Sequence, residues 1–144
     1  MKISILTLFP EMFEGPFEYS IIKNAQEKKK VNIEFINIRD FGIGRHKVVD
    51  DKPYGGGHGM ILRVDVLEKA ISQTKEKHPD ASGQKVVLLS PHGKTFSQAK
   101  AQELSNLRHL ILICGRYEGI DERSKEFIDE ELSIGDFVVT GGEI

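Results

Sequence analysis

Tryptophan is absent from the 144-residue chain, and cysteine occurs once, at Cys114. A single thiol excludes an intramolecular disulfide and fits a reducing compartment. Lying at the end of an apolar run, Cys114 reads as a small buried hydrophobe. No apolar run approaches the ~20 residues that span a bilayer. Lys2 alone precedes the first apolar run, without a small-residue cleavage pattern, so no signal peptide is expected. An excess of one charge is missing too: the formal net charge is −2, which does not advertise a polyanion partner. The distribution is uneven, with ten Lys/Arg against eight Asp/Glu in residues 1–63 and ten against fourteen in residues 64–144. Nucleic acid would more plausibly meet the first half.

Several chemistries lack their residues. The five histidines, His46, His58, His78, His92 and His109, show no zinc-ligand spacing with the single cysteine. No G-x-S-x-G nucleophile elbow occurs. The run SPHGKT resembles a phosphate loop, but the glycine that pattern needs five residues before Gly93 is Leu88. The Gly55–Gly59 run lacks the third glycine of a dinucleotide fingerprint, that place being taken by Met60, and it follows no strand.

What is present fits one α/β domain with a mostly parallel sheet flanked by helices. The composition, 39% hydrophobic and 29% charged, is ordinary for a globular domain. Lys2–Phe9 is nearly all apolar and predicts a central strand. Pro10 suits a first helical position, and Ser20 is placed to cap a helix over Ile21–Lys29. Val31–Ile38 alternates and predicts a second strand. Residues 39–59 have no periodicity. Their basic residues, glycines and the anchors Phe41, Val48, Val49 and Tyr54 predict an ordered binding loop. A short strand Met60–Leu62 follows, then a helix over Val66–Lys77 capped by Asp65, a loop over 79–83, and a buried strand Lys85–Leu89. Ser90–Lys94 reads as a loop and Phe96–Leu107 as a helix. The acidic pairs Asp50-Asp51 and Glu130-Glu131 read as solvated surface.

The most informative stretch is 110–144. The strand Leu110–Cys114 stops at Gly115, a polar turn Gly115–Gly119 follows, and Asp121 opens a helical pattern. A second apolar run, Leu132–Thr140, ends in Gly141-Gly142. Ligands of α/β proteins sit beyond the carboxyl ends of the strands, and glycines there let main chain approach a ligand closely. This predicts a small-molecule pocket built largely from main chain. Arg116 and Glu118 lie between two glycines at a strand's carboxyl end, where surface decoration is a poor explanation.

Four segments, RDF…VVDDKPYGGGHGM (39–60), LSPHGK (89–94), LILICGRYEGIDER (110–123) and SIGDFVVTGGE (133–143), resemble in this order the bacterial tRNA (guanine-N1)-methyltransferases. The resemblance runs the whole length, from KISILTLFPEMF onward. It implies a trefoil-knotted, SPOUT-type α/β methyltransferase, a cytoplasmic homodimer that uses S-adenosylmethionine. The reaction implied is methyl transfer to N1 of the guanine 3′-adjacent to the anticodon, position 37 of tRNA. By motif, three walls would hold the cofactor: Leu89, Ser90 and Pro91; Gly115 and Tyr117; and Ile134, Gly135, Asp136, Phe137, Val138, Val139, Thr140, Gly141 and Gly142. Arg116 and Glu118 would face the guanine, and loop 39–59 would meet the partner subunit and the RNA. Two positions depart from the family pattern: His92 stands for a glutamine and Phe137 for a tyrosine. On the same pattern, residues 1–144 form the cofactor-binding N-terminal domain, with a long knot-completing helix expected to begin at Gly142-Glu143-Ile144. The general-base aspartate and the small tRNA-gripping domain are expected beyond Ile144, so the chain by itself is expected to bind cofactor without methylating. The alternative is a non-catalytic cofactor-binding or dimerisation module.

Overall fold

Apolar strands that must bury both faces need helices on each side, and the computed structural model, which describes residues 1–79 and 83–144, has that arrangement. Strands β1 (Lys2–Thr7), β2 (Asn32–Asn37), β5 (Gln84–Thr95), β6 (His109–Cys114) and β7 (Glu130–Ser133) form one sheet in the order β2-β1-β6-β5-β7, every pairing parallel. Two short strands, β3 (Asp50–Asp51) and β4 (Ile61–Leu62), pair antiparallel beside it. The helices are α1 (Ser20–Glu27), α2 (Val64–Glu76) and α3 (Gln98–Ser105), with one-turn 3₁₀ segments between.

Alternation along the strands divides the core. Leu6, Val86, Leu88, Ile111 and Ile113 pack on one face with Val66, Leu67, Ala70 and Ile71 of α2. Val87, Leu110 and Leu132 meet Leu104 of α3 on the other. Ile5 and Cys114 meet Phe13 there, and Phe13 stacks on Phe35 at 4.9 Å between ring centroids. Each fully buried side chain of this size contributes about 1.5–3 kcal/mol, so the two faces together hold the sheet flat against its helices.

Several local expectations differ. Ser20 does not cap α1: it lies in the left-handed region at φ +54 as the first helical residue, and Tyr19 precedes it without a side-chain cap. Asp65 is inside α2 rather than its cap, since Arg63 occupies that place. Its carboxylate accepts the Val66 N–H at 3.0 Å and pairs with Arg63, whose hydrogen bond holds the carboxyl below its usual range. The Ser90–Lys94 loop is instead a widened part of β5. Leu89 and Lys94 both register against Leu132, so the strand resumes its pairing at Lys94 and Thr95. The run Leu132–Thr140 is strand only to Ser133. Glu130 is half-buried between Lys85 at 2.6 Å and Lys100 at 2.9 Å rather than freely solvated. Of the loop expected over 79–83, residues 80–82 lie outside the described residues.

At the amino ends of the strands sits a polar knot of side chains. Ser4 Oγ donates to Glu34 Oε1 at 2.6 Å and lies 2.8 Å from His109 Nε2. Lys2 pairs with Glu34 at 3.0 Å and also touches His78. Burial first, and then the charges of His78 and Lys2, push the pKa of His109 below its ordinary value, against the opposing pull of Glu34. Burial tends to raise Glu34, but its bonds from Ser4 and Lys2 outweigh that and lower it. A histidine depressed in the folded state contributes stability that is whole above its unfolded pKa of about 6.5. That stability is lost as pH falls through the lower folded value, and Glu34 adds a further loss in the carboxylate range. The thermal midpoint is therefore expected to fall between pH 7.5 and 5.5, and the fall to be smaller in His109→Gln. Equal slopes in the two proteins would refute the assignment.

Candidate functional site

The pairing of β5 with β6 stops at Leu89 opposite Cys114, where β6 ends and β5 widens. The chain returns over that edge after β7. The Gly142 N–H donates to the Gly115 carbonyl at 3.2 Å. A Cβ on Gly142 would lie 2.9 Å from Cys114 Cα and 3.0 Å from Leu89 Cβ. One residue from each of the three expected walls, Leu89, Gly115 and Gly142, thus meets at a single point. Ser90 is half-buried and Pro91 exposed beyond it. In the third wall, Ser133 Oγ donates to the Gly135 carbonyl at 2.8 Å and accepts the Gly135 N–H at 3.2 Å, which turns the chain out of β7. Ile134, Asp136, Phe137, Val138, Val139 and Thr140 are then exposed, while Gly141 is buried. The structure brings the glycine ends of this wall to the crevice and leaves its apolar middle open to solvent.

The turn after β6 is tightly tied. Tyr117 has φ +61, a conformation that non-glycine residues hold only when their surroundings over-determine it. Those surroundings are main-chain bonds: Glu118 N–H to Met60 O at 3.0 Å, Leu62 N–H to Gly119 O at 3.0 Å, and Asp121 N–H to Leu62 O at 2.9 Å. Asp121 opens a 3₁₀ segment, Glu122–Phe127, and its carboxylate accepts the Arg123 N–H at 3.0 Å. The hydrogen bond from the Arg123 side chain lowers its pKa. Glu118 is exposed, yet its side chain lies against Gly59 (φ +84), where any Cβ would overlap the Glu118 methylenes. The end of loop 39–59 is therefore packed on the same turn.

That loop is ordered, though not by all four expected anchors. Val49 is fully buried and Phe41 packs on the core. Val48 is exposed but bonds through its backbone to Ile43 in a small hairpin. Tyr54 is 98% exposed and anchors nothing.

Arg116 is not a free side chain. Its Nε lies 3.0 Å from Glu143 Oε2, and its guanidinium carbon sits 4.7 Å from the centre of the Phe9 ring. Glu143 is wholly buried as a side chain and accepts a bond from Thr7 Oγ1 at 2.6 Å. Sequence reading missed Glu143 as a site residue. The only signal was its place at the end of SIGDFVVTGGE, where a polar residue after two glycines looks like a surface position. Cys114 lies behind the pair. Burial, and then the Glu143 charge, pushes its thiol up to about 12, so it stays protonated and packs as the small hydrophobe expected.

Fold and site together define a class: an open parallel α/β domain with glycine-rich main chain gathered at the carboxyl edge of its central strands. The tRNA (guanine-1)-methyltransferase TrmD family profile matches residues 1–144, and the chain belongs to that family. It is 53% identical over 144 residues to the tRNA (guanine-N(1)-)-methyltransferase of Dictyoglomus turgidum, covering all of this chain and 57% of the relative. It is 55% identical over 144 residues to that of Desulforudis audaxviator, with 57% of the relative covered. The crystal structure of the tRNA (m1G37) methyltransferase from Aquifex aeolicus superposes with a TM-score of 0.88 at 38% identity, over 99% of this chain and 63% of that one. The chain thus spans somewhat more than half the length of these curated relatives, and its fold is that of the SPOUT class.

The convergence at Gly142 generates a sharp expectation. Gly142→Ala forces its Cβ onto the Cys114 main chain, and overpacking of this kind costs about 1–3 kcal/mol. Gly55→Ala, where nothing lies within 4 Å and φ is ordinary, is expected to stay within about 0.5 kcal/mol. Denaturant unfolding of the two variants checks this, and equal stabilities would contradict the packing described.

Proposed function

We propose that this chain supplies the S-adenosylmethionine site and the guanine-facing turn of a tRNA (guanine-N1)-methyltransferase that acts on the guanine 3′ of the anticodon. The observation that carries the reading is the meeting of Leu89, Gly115 and Gly142 at the sheet's carboxyl edge. Glycine at two of those three places lets the segments pack main chain against main chain, so that amide and carbonyl groups gather at the edge, which suits a ligand held by main-chain groups. The exposed Ile134, Phe137, Val138 and Val139 offer apolar surface for the remaining wall. With Ser90, Pro91, Tyr117, Gly135, Asp136, Thr140 and Gly141 they complete the proposed cofactor set.

When bound, S-adenosylmethionine supplies an electrophilic sulfonium methyl. The chain's own residues would orient the nucleophile. Glu118 is placed to accept hydrogen bonds from the guanine N1–H and exocyclic amine. Arg116 offers donors to the O6 edge, where negative charge gathers as the N1 proton leaves. Holding N1 and methyl at near-attack distance is the main contribution. On the family pattern the general base lies beyond Ile144. A trefoil knot belongs to the same reading: the Gly93 backbone abuts the Glu131–Leu132 backbone, which supports passage of β7 beside the widened part of β5. A cytoplasmic homodimer with tRNA as partner completes it. No helix among the described residues is long and apolar enough to cross a membrane.

Calorimetric titration of the chain with S-adenosylmethionine tests the reading. Binding on the order of micromolar, roughly −8 kcal/mol, is expected, with displacement by S-adenosylhomocysteine. Retention of ATP with no heat from S-adenosylmethionine would sink it. Glu118→Gln is expected to leave that titration unchanged within about twofold. It is also expected to erase the preference for guanine over inosine at the target position of an anticodon stem-loop, a loss of about tenfold in binding.

A further inference from the structure

Glu143 has a wholly buried side chain, and no cofactor or guanine role absorbs it. Its carboxylate belongs to a closed circuit of four residues from three segments. The Phe9 N–H donates to Thr7 Oγ1 at 3.0 Å. Thr7 Oγ1 donates to Glu143 Oε1 at 2.6 Å. Glu143 Oε2 faces Arg116 Nε at 3.0 Å, and the Arg116 guanidinium returns to the Phe9 ring at 4.7 Å. The end of β1, the turn after β6 and the tail after Gly142 are thereby linked through side chains.

Space for this circuit is kept by a missing side chain. A Cβ on Gly141 would lie 2.5 Å from both Arg116 Nε and Glu143 Oε2. The circuit also divides the guanidinium. Nε and Glu143 Oε2 are buried and face each other as an ion pair outside hydrogen-bond geometry. The Nη1 contact with the Thr140 carbonyl at 3.4 Å and the Nη2 contact with Met12 Sδ at 3.1 Å lie at the surface. An arginine is a planar fork, so the buried ion pair at Nε and the Phe9 ring against the guanidinium together limit the plane and direction of the two Nη groups.

We propose that Glu143 is a positioning residue: it holds the Arg116 fork in one plane, with the Nη donors turned to the O6 edge of the target guanine. This rests on the reading of Arg116 given under the proposed function. Guanine O6 and N7 form the acceptor pair that such a fork matches. An arginine free to rotate loses that match to conformational entropy before it binds. Thr7 serves the same end one step further away, by orienting the carboxylate.

The test uses a double-mutant cycle on binding, so that no turnover is needed. Affinity for an anticodon stem-loop is measured in saturating S-adenosylhomocysteine, with guanine or 6-thioguanine at the target position. The thio base keeps N1–H and the amine but offers a weaker sulfur acceptor. The parent chain is expected to prefer guanine by about tenfold. Arg116→Ala and Glu143→Gln are each expected to remove most of that preference, and the double variant to lose no more than Arg116→Ala alone. Affinity for S-adenosylhomocysteine serves as the readout of a merely structural role and is expected to hold within about twofold, while the thermal midpoint of Glu143→Gln falls because a buried ion pair loses its anion. Thr7→Val, which keeps the carboxylate but loses its orienting hydroxyl, is expected to fall between parent and Glu143→Gln, and it carries the test if Glu143→Gln does not fold. If the parent shows no preference, or Arg116→Ala keeps it, the role given to Arg116 fails and the proposal with it. If Arg116→Ala loses the preference while Glu143→Gln and Thr7→Val keep it, only the role of Glu143 is overturned. Additive losses, or a parallel loss of S-adenosylhomocysteine affinity, overturn it as well.

Discussion

Main chain touching main chain at the carboxyl edge of the sheet is the constraint on which the rest depends. The tail after β7 must lie close enough to Cys114 and Leu89 for Gly142 to bond Gly115, and only a residue without a Cβ permits it. That approach uses the point where the parallel pairing of β5 with β6 stops, Leu89 opposite Cys114. The pairing up to that point is held by two central strands that bury valines, leucines and isoleucines on both faces. An edge assembled this way presents carbonyls and amides whose positions are set by the sheet.

Polar side chains then divide into those that tie and those that are left to act. Asp121, Asp65 and Glu143 are all consumed by neighbouring arginines or main-chain N–H groups. Glu118, two residues from Arg116, has its backbone fixed by Met60 while its carboxylate remains exposed. The same turn therefore offers one anchored cation and one available anion. The left-handed Tyr117 between them keeps the two side chains from following ordinary strand alternation.

Much of this was legible beforehand, and the parts that were not share a cause. The strands of the sheet announce themselves because they are short apolar runs bounded by glycine or proline, as at Lys2–Thr7 and His109–Cys114. The three segments proposed to hold a cofactor stand out by motif, and their glycines give a physical reason to group them. What failed depended on partners distant in sequence. Ser90–Lys94 looks like a loop until β7 comes to lie beside it. Glu143 looks like surface until Thr7, 136 residues earlier, bonds to it. Tyr54 looks like an anchor because it is aromatic, but nothing reaches it. Caps were misplaced at Ser20 and Asp65 by one or two residues, which is the ordinary uncertainty of helix ends.

The Lys85–Glu130–Lys100 cluster carries a consequence of a different kind. β7 is a four-residue strand at the rim of the sheet, the place where a foreign strand could add itself and start a chain of copies. Glu130 on that strand is held between two lysines, and Glu131 beside it is held by Lys125. Any incoming strand would have to break or bury these pairs, which is costly for charged groups. Charges so paired on a short rim strand disfavour the addition of another copy along that edge.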